Sequence, residues 1–128
     1  MLPPDWELWL DGGHNPGAGE ALADHVAHQW GDKPLDLVVG MLNSKDSQGF
    51  VDPLAPHVRS GAAVPIPDEP NSLSAAEMAA KAGAAGLDLS PADSVEAAIR
   101  QLVKRPGPAR LLICGSLYLA GTVLAENG

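Results

Sequence analysis

The chain has 128 residues, 45% of them apolar, which suits a single domain with one core over residues 1–128. Its formal net charge of -8 argues against nucleic acid and anionic membranes as partners, because both require basic surfaces. One cysteine allows no internal disulfide and no apolar run is long enough to span a bilayer, so a cytoplasmic protein is expected.

The chain begins with a predicted buried strand at residues 8–10, a glycine-containing turn and a helix over residues 16–30. Asn15 can cap this helix, and Pro16 suits its first position because the missing N–H is not needed there. Asp11 and His14 therefore fall on a strand-to-helix turn at the carboxyl end of a strand. Open α/β sheets bind their ligands at that edge.

The middle of the chain continues the alternation of strands and helices. A second strand is predicted over residues 35–41, followed by a polar turn that contains Lys45 and by a short helix. Pro53 and Pro56 must interrupt that helix, because proline removes a helical hydrogen bond. The third strand, at residues 62–67, contains two prolines and is therefore predicted at a sheet edge.

The second half of the chain carries further helix caps and a last apolar strand. Ser74 and Glu77 have the spacing of a capping box. The elements predicted here are a helix from Ser74 to about Gly86, a short strand at residues 87–89, a helix ending near Lys104, a strand at residues 110–114 and a helix over residues 117–125. Cys114 lies in the apolar last strand and is interpreted as a packed, unreactive thiol.

This alternation predicts an α/β fold of three layers: a mostly parallel, Rossmann-like sheet with helices on both faces. If the strand order reverses beside the first strand, the first and last major strands become neighbours. The Asp11–His14 turn and the Gly115–Ser116 turn would then flank one crevice at the carboxyl edge.

Familiar motifs of nucleotide and metal chemistry are incomplete in this chain. Gly12 and Gly17 have the glycine spacing of a phosphate-binding P-loop, but Ala18 and Gly19 stand where lysine and serine or threonine are required. No glycine fingerprint for dinucleotides follows a strand, and no cluster of side chains reaches the density of a metal site.

The crevice is therefore predicted to bind ligands, with no catalytic residue in this chain. Asp11 suits ribose hydroxyls or an ammonium group, whereas His14 and Lys45 suit anions. Ser116 precedes a predicted helix, whose first N–H groups suit a carboxylate or phosphate. The candidate binding residues are Asp11, His14, Asn15, Lys45 and Ser116.

Four segments resemble those of a known family in the same order. Residues 10–16, LDGGHNP, are similar to the LDGAHNP segment that opens the C-terminal domain of folylpolyglutamate and dihydrofolate synthases, members of the Mur ligase superfamily. The others are residues 40–46 (GMLNSKD), 65–74 (PIP and EPNSLS) and 115–121 (GSLYLAG). The resemblance covers nearly the whole chain, with Gly13 where alanine is usual.

The resemblance implies an ATP-dependent amide ligase that joins glutamate to a folate or pteroate carboxylate through an acyl phosphate. ATP and Mg²⁺ would be held mainly by an N-terminal ATPase domain in cis, which this chain lacks, so the chain alone is expected to be inactive. Asp11 and His14 would face the ATP and glutamate cleft, Ser116 would help to bind glutamate, and Lys45 is a further candidate. The chain's abrupt start also suggests a fragment that begins at a linker.

Two alternative functions remain open from the sequence. One is the C-terminal domain of a Mur-type peptide ligase, against which the GSLYLAG segment argues. The other is a stand-alone module that binds a small anion or a nucleotide in the same crevice.

Overall fold

A computed structural model of the protein describes residues 6–12, 15–30, 33–43, 46–104 and 108–115. These residues form a five-stranded sheet in which every strand pair is parallel. The elements are β1 (Trp6–Leu10), α1 (Pro16–Gln29), β2 (Leu35–Val39), α2 (Ser47–Val51), a 3-10 turn (Ala55–His57), β3 (Ser60–Ala63), α3 (Ala75–Ala84), β4 (Ser90–Pro91), α4 (Val95–Leu102) and β5 (Ala109–Cys114). The helix expected over residues 117–125 lies outside the described residues.

The strand order across the sheet is β1-β5-β2-β3-β4. The last strand is thus inserted between the first and the second, with Trp6 beside Ala109 in one pairing and Leu35 beside Arg110 in the other. This confirms that the first and last strands are neighbours.

Helices cover both faces of the sheet, as predicted. Along β2, Leu37 and Val39 face a core shared with α1, α2 and α3, whereas Val38 between them faces a core shared with α4. Successive strand residues point to opposite faces, so fully buried strands need apolar residues at every position. All six residues of β5 are buried, and five of them are apolar; Arg110 is the exception.

The prediction of a buried first strand is wrong. β1 is an edge strand that pairs only with β5, and its Leu8 and Trp9 side chains are 37% and 43% exposed. Trp6 is the buried apolar residue of β1. An apolar run shows that a strand can be buried, but the number of neighbouring strands decides whether it is.

The prediction that the third strand lies at an edge is also wrong. β3 ends at Ala63, two residues before Pro65, and the short β4 pairs with its outer side through Ala62 and Ala63. The prolines follow the strand, so they remove no hydrogen bond from the sheet. The edge on this side is β4, which lies at Ser90–Pro91, next to the predicted segment at residues 87–89.

The predicted helix signals form in the structure. Ser74 Oγ accepts a hydrogen bond from the Glu77 N–H, and Glu77 Oε1 accepts one from the Ser74 N–H, at 3.1 and 2.9 Å. These bonds from Ser74 lower the pKa of Glu77, because they stabilise its carboxylate. α2 ends at Val51, and the following prolines lead into the 3-10 turn, as their positions predicted. Among the described residues, no helix combines the length and the apolarity needed to cross a bilayer.

Candidate functional site

Backbone hydrogen bonds join three strand ends at the carboxyl edge of the sheet. The Asp11 N–H, just after β1, donates to the Ile113 carbonyl of β5 at 3.0 Å. The Gly40 N–H, just after β2, donates to the Cys114 carbonyl at 3.3 Å. The turns that leave β1 and β5 therefore start side by side, which is the arrangement that the predicted crevice requires.

Gly115 turns the chain away from β5 in a conformation that favours glycine, with φ of 99°. A Cβ atom at this position would lie 2.5 Å from the Gly40 carbonyl oxygen and 2.8 Å from Met41 Cγ. The close approach of β5 and β2 at the site therefore depends on the missing side chain of Gly115.

Asp11 is half-buried beside the end of β5. The pKa of the buried Cys114 thiol is raised, first by burial and then by the negative charge of Asp11. The thiol therefore stays protonated, which confirms the interpretation of Cys114 as a packed residue rather than a nucleophile.

The start of α1 is capped by its own residues. Asn15 Oδ1 accepts a hydrogen bond from the Ala18 N–H at 2.8 Å, and the Asn15 carbonyl accepts one from the Gly19 N–H at 3.1 Å. Pro16 has no N–H to offer. Asn15 is thus confirmed as a helix cap, and the cap together with Pro16 reduces the number of open N–H groups at this helix start.

The start of α2 adjoins the start of α1. Asp46 Oδ1 caps α2 by accepting the Gly49 N–H at 2.9 Å, and a Cβ on Gly49 would lie 2.9 Å from Pro16 Cγ. Ser47 is buried here, and its hydroxyl has no hydrogen-bond partner among the described residues. Nothing in the sequence singles out Ser47, since a serine after an aspartate cap is ordinary in a helix start.

A loop from the neighbouring strand folds over the turn that follows β2. The Asn43 N–H donates to the Asn71 carbonyl at 2.7 Å, and the Leu73 N–H donates to the Met41 carbonyl at 2.9 Å. Ser72 Oγ accepts the Ile66 N–H at 2.8 Å and holds the loop closed. Residues 69–73 therefore belong to this edge, although only their similarity to the family's loop had indicated them.

A cavity of about 290 Å³ extends from Asp11 along the outer side of the sheet, between β1 and α1. Trp9 and Trp30 meet in it with ring centroids 4.9 Å apart, and His25 contacts Trp30 edge-on. His25 is exposed on α1 beside this cavity. Spacing along the chain does not show that an edge strand leaves this groove open.

The structure describes two of the five predicted site residues, Asp11 and Asn15. His14, Lys45 and Ser116 lie outside the described residues. No group of three or more histidine, cysteine, aspartate or glutamate side chains in the described part of the chain could hold a metal ion. The described residues thus do not fit a metal site by themselves.

The fold defines a class of protein: a parallel, Rossmann-like α/β domain, a fold in which ligands bind at the carboxyl edge of the sheet. The family model for the Mur ligase glutamate ligase domain matches residues 4–117. The chain therefore belongs to this family.

Solved structures similar to this chain carry the same fold. The Mycobacterium tuberculosis folylpolyglutamate synthase complexed with ADP and AMPPCP has a TM-score of 0.83 at 23% identity, over 94% of this chain and 29% of that one. A bifunctional folylpolyglutamate synthase/dihydrofolate synthase with Mn, AMPPNP and L-glutamate bound has a TM-score of 0.81 at 28% identity. The match covers 99% of this chain and 30% of that one. Escherichia coli FolC in complex with DHPP and ADP has a TM-score of 0.79 at 24% identity, over 91% of this chain and 27% of that one.

The chain thus spans about 30% of the length of these enzymes. No curated protein sequence matches it.

Proposed function

We propose that this chain is the C-terminal domain of an ATP-dependent ligase that adds L-glutamate to the carboxylate of a folate or pteroate through an acyl phosphate. The observation that carries the proposal is the carboxyl edge, where Asp11 is tied to the end of β5 in a domain of the Mur ligase family. Support comes from similar structures whose bound molecules include ADP, AMPPNP and L-glutamate. In this proposal residues 1–128 are one domain, and the ATPase domain is a separate N-terminal part of a cytoplasmic enzyme.

This domain's proposed role is to bind and orient the substrates rather than to supply a reacting group. Asp11 is fixed through its backbone, so its carboxylate can accept hydrogen bonds from a ribose hydroxyl or from the ammonium group of glutamate. We assign His14, Lys45 and Ser116 to anionic groups of ATP or glutamate, and Asn15 to this turn chiefly as the cap of α1. ATP and Mg²⁺ are assigned mainly to the N-terminal domain.

The helix start that follows Asp11 supports this division of labour. The Ala18 N–H already bonds to the Asn15 side chain and Pro16 has no N–H, so α1 offers fewer open N–H groups than phosphate-binding helices use. A triphosphate therefore needs donors from elsewhere, which the proposal places in the other domain.

The test uses the full-length protein that contains this domain. ADP release is measured with dihydropteroate or a reduced folate and with L-glutamate, against UDP-linked peptide substrates of Mur-type ligases. We expect ADP release that depends on both the folate compound and glutamate. Turnover only with the peptide substrates would overturn the proposal in favour of a Mur-type ligase.

A pair of matched variants links the activity to this edge. Asp11→Asn is expected to lower kcat/KM by at least about tenfold, which corresponds to about 1.4 kcal/mol of transition-state stabilisation. Asp24→Asn removes the same charge from an exposed position on α1, where Asp24 pairs with His28, and is expected to leave kcat/KM unchanged. Equal effects of the two substitutions would refute the assignment of Asp11 to the site.

A further inference from the structure

A second cavity, of about 480 Å³, lies at the opposite edge of the sheet. It is formed by the end of α1, the segment leading into β2 and the 3-10 turn leading into β3. The lining residues used below are Val26, Trp30, Lys33, Leu35, His57 and Arg59. β2 runs from this edge to the carboxyl edge, a span of about 13 Å over its five residues, so this amino-edge cavity is separate from the proposed ligase site.

The charged groups that line the amino-edge cavity are both positive. Lys33 and Arg59 contribute to its wall, and among the described lining residues there is no aspartate or glutamate. This is unusual for a chain with 16 acidic and 8 basic residues. The charged side chains that a small molecule would meet in the described lining are therefore the cationic members of ion pairs whose carboxylates lie outside it.

Carboxylates outside the lining hold both cations in place. Asp36, fully buried in β2, accepts hydrogen bonds from Arg59 Nε and Nη2 at 3.0 and 2.7 Å and from Ser60 Oγ at 2.9 Å. Lys33 Nζ lies 3.4 Å from Glu7 Oε2 on β1. The two bonds to Asp36 use two of the five N–H donors of a guanidinium group. Arg59 is thus pre-positioned at little further cost in side-chain entropy when an anion binds.

Apolar residues also line the amino-edge cavity. Val26, Leu35 and Trp30 are buried members of the core, and Arg110 lies over the Trp30 ring at 5.4 Å from its centroid. Small-molecule sites combine such an apolar wall with a few fixed polar groups, and the volume falls within their usual range. Positive groups beside an apolar wall suit an organic anion better than inorganic phosphate, which has no apolar part.

We propose that the amino-edge cavity is a second binding site, for a small organic carboxylate with an aromatic or aliphatic body. The carboxylate pairs with Lys33 and Arg59, His57 adds a hydrogen-bonding ring at the rim, and the body packs against Val26 and Leu35. This proposal is independent of the ligase function, because it uses no residue of the carboxyl edge.

The test is an NMR titration of the ¹⁵N-labelled 128-residue chain with 2-naphthoate as the probe and the neutral 2-naphthamide as the matched ligand control. We expect 2-naphthoate to bind with a Kd of about 0.1–5 mM, as ligands of this size do. Amide shifts should concentrate on Ala27, Leu35 and Arg59, and added salt should weaken binding. 2-Naphthamide should bind at least about threefold more weakly.

Two variants complete the test. Lys33→Gln is expected to weaken 2-naphthoate binding at least about threefold, and Lys81→Gln, which removes the same charge from an exposed position on α3, should leave the Kd unchanged. Lys33 is only paired at the surface, so its substitution keeps the fold. The proposal would be overturned if 2-naphthoate did not bind or if the neutral amide bound equally well. It would also be overturned if the two variants had equal effects, or if the shifts were confined to the cavity at Trp9.

Discussion

Replacing Gly115 with alanine tests how closely the strand ends meet at the proposed ligase site. Its φ of 99° strains any residue with a side chain, at a cost of roughly 1–3 kcal/mol. The added Cβ would also lie 2.5 Å from the Gly40 carbonyl oxygen and 3.0 Å from Val39 Cγ2, so the end of β2 must move. Such overpacking costs about 1–3 kcal/mol more. Gly115→Ala is therefore expected to lower the free energy of unfolding by about 2–6 kcal/mol.

Two other glycines separate backbone strain from steric overlap. Gly86 has a φ of 88° but nothing within 4 Å of an added Cβ, so Gly86→Ala should cost the strain alone, about 1–3 kcal/mol. Gly83 lies within α3 and also has open space, so Gly83→Ala should stabilise the chain by about 0.5–1 kcal/mol.

Thermal and urea unfolding, followed by circular dichroism, measure all three variants. Each kcal/mol corresponds to about 4 °C in Tm for a domain of 128 residues. A Gly115→Ala variant no less stable than Gly86→Ala would refute the tight contact between β5 and β2. Loss of ligase activity beyond the loss of folded protein, in the full-length enzyme, would show that this contact also shapes the site.

Three further predictions concern the rest of the domain. Arg59→Met should lower the free energy of unfolding by about 3–5 kcal/mol, because it leaves the buried Asp36 carboxylate without its cation. Adding Asp36→Leu to this variant should recover part of the loss. An Arg59→Met variant as stable as wild type in urea would contradict this prediction. Ser74→Ala should lower the free energy of unfolding by about 1 kcal/mol, because α3 loses its cap. An unchanged unfolding midpoint would show that the cap does not contribute to stability. Cys114 should react with a maleimide only when the chain unfolds, because burial raises its thiol pKa, so rapid labelling of the native chain would show that the strand opens.

The parts of the fold that the sequence predicted well depend on neighbours in the chain. The capping box at Ser74 needs only a glutamate three residues later, and Pro53 and Pro56 end the helix that directly precedes them. Asp11 was found in the same way, since a strand, two glycines and a cap place it at a strand end whatever the rest of the sheet does. These signals fix the order of the elements, and the order in turn predicted a parallel sheet with helices on both faces.

The errors concern which strand lies beside which. Leu8 and Trp9 have the apolar character of buried residues, but β5 pairs with only one side of β1 and leaves them exposed. Two prolines at residues 65 and 67 predict an edge position for β3, yet the strand stops before them and β4 pairs with its outer side. The two cavities were missed for the same reason, because each lies between elements that are distant in the chain.

The distribution of charge between the two edges of the sheet shows which charged residues the helix dipoles favour and which they do not. In a parallel α/β fold the helices start at the carboxyl edge of the sheet and end at the amino edge, so acids are favoured at the first and bases at the second. Asp46 caps α2 at the carboxyl edge, and Lys33 and Arg59 lie at the amino edge, in agreement with that rule. Lys45 directly precedes the cap of α2 in sequence, where a positive charge opposes the helix dipole. The helix dipole therefore gives no reason for a lysine at this position, which agrees with the proposal that Lys45 binds an anionic ligand.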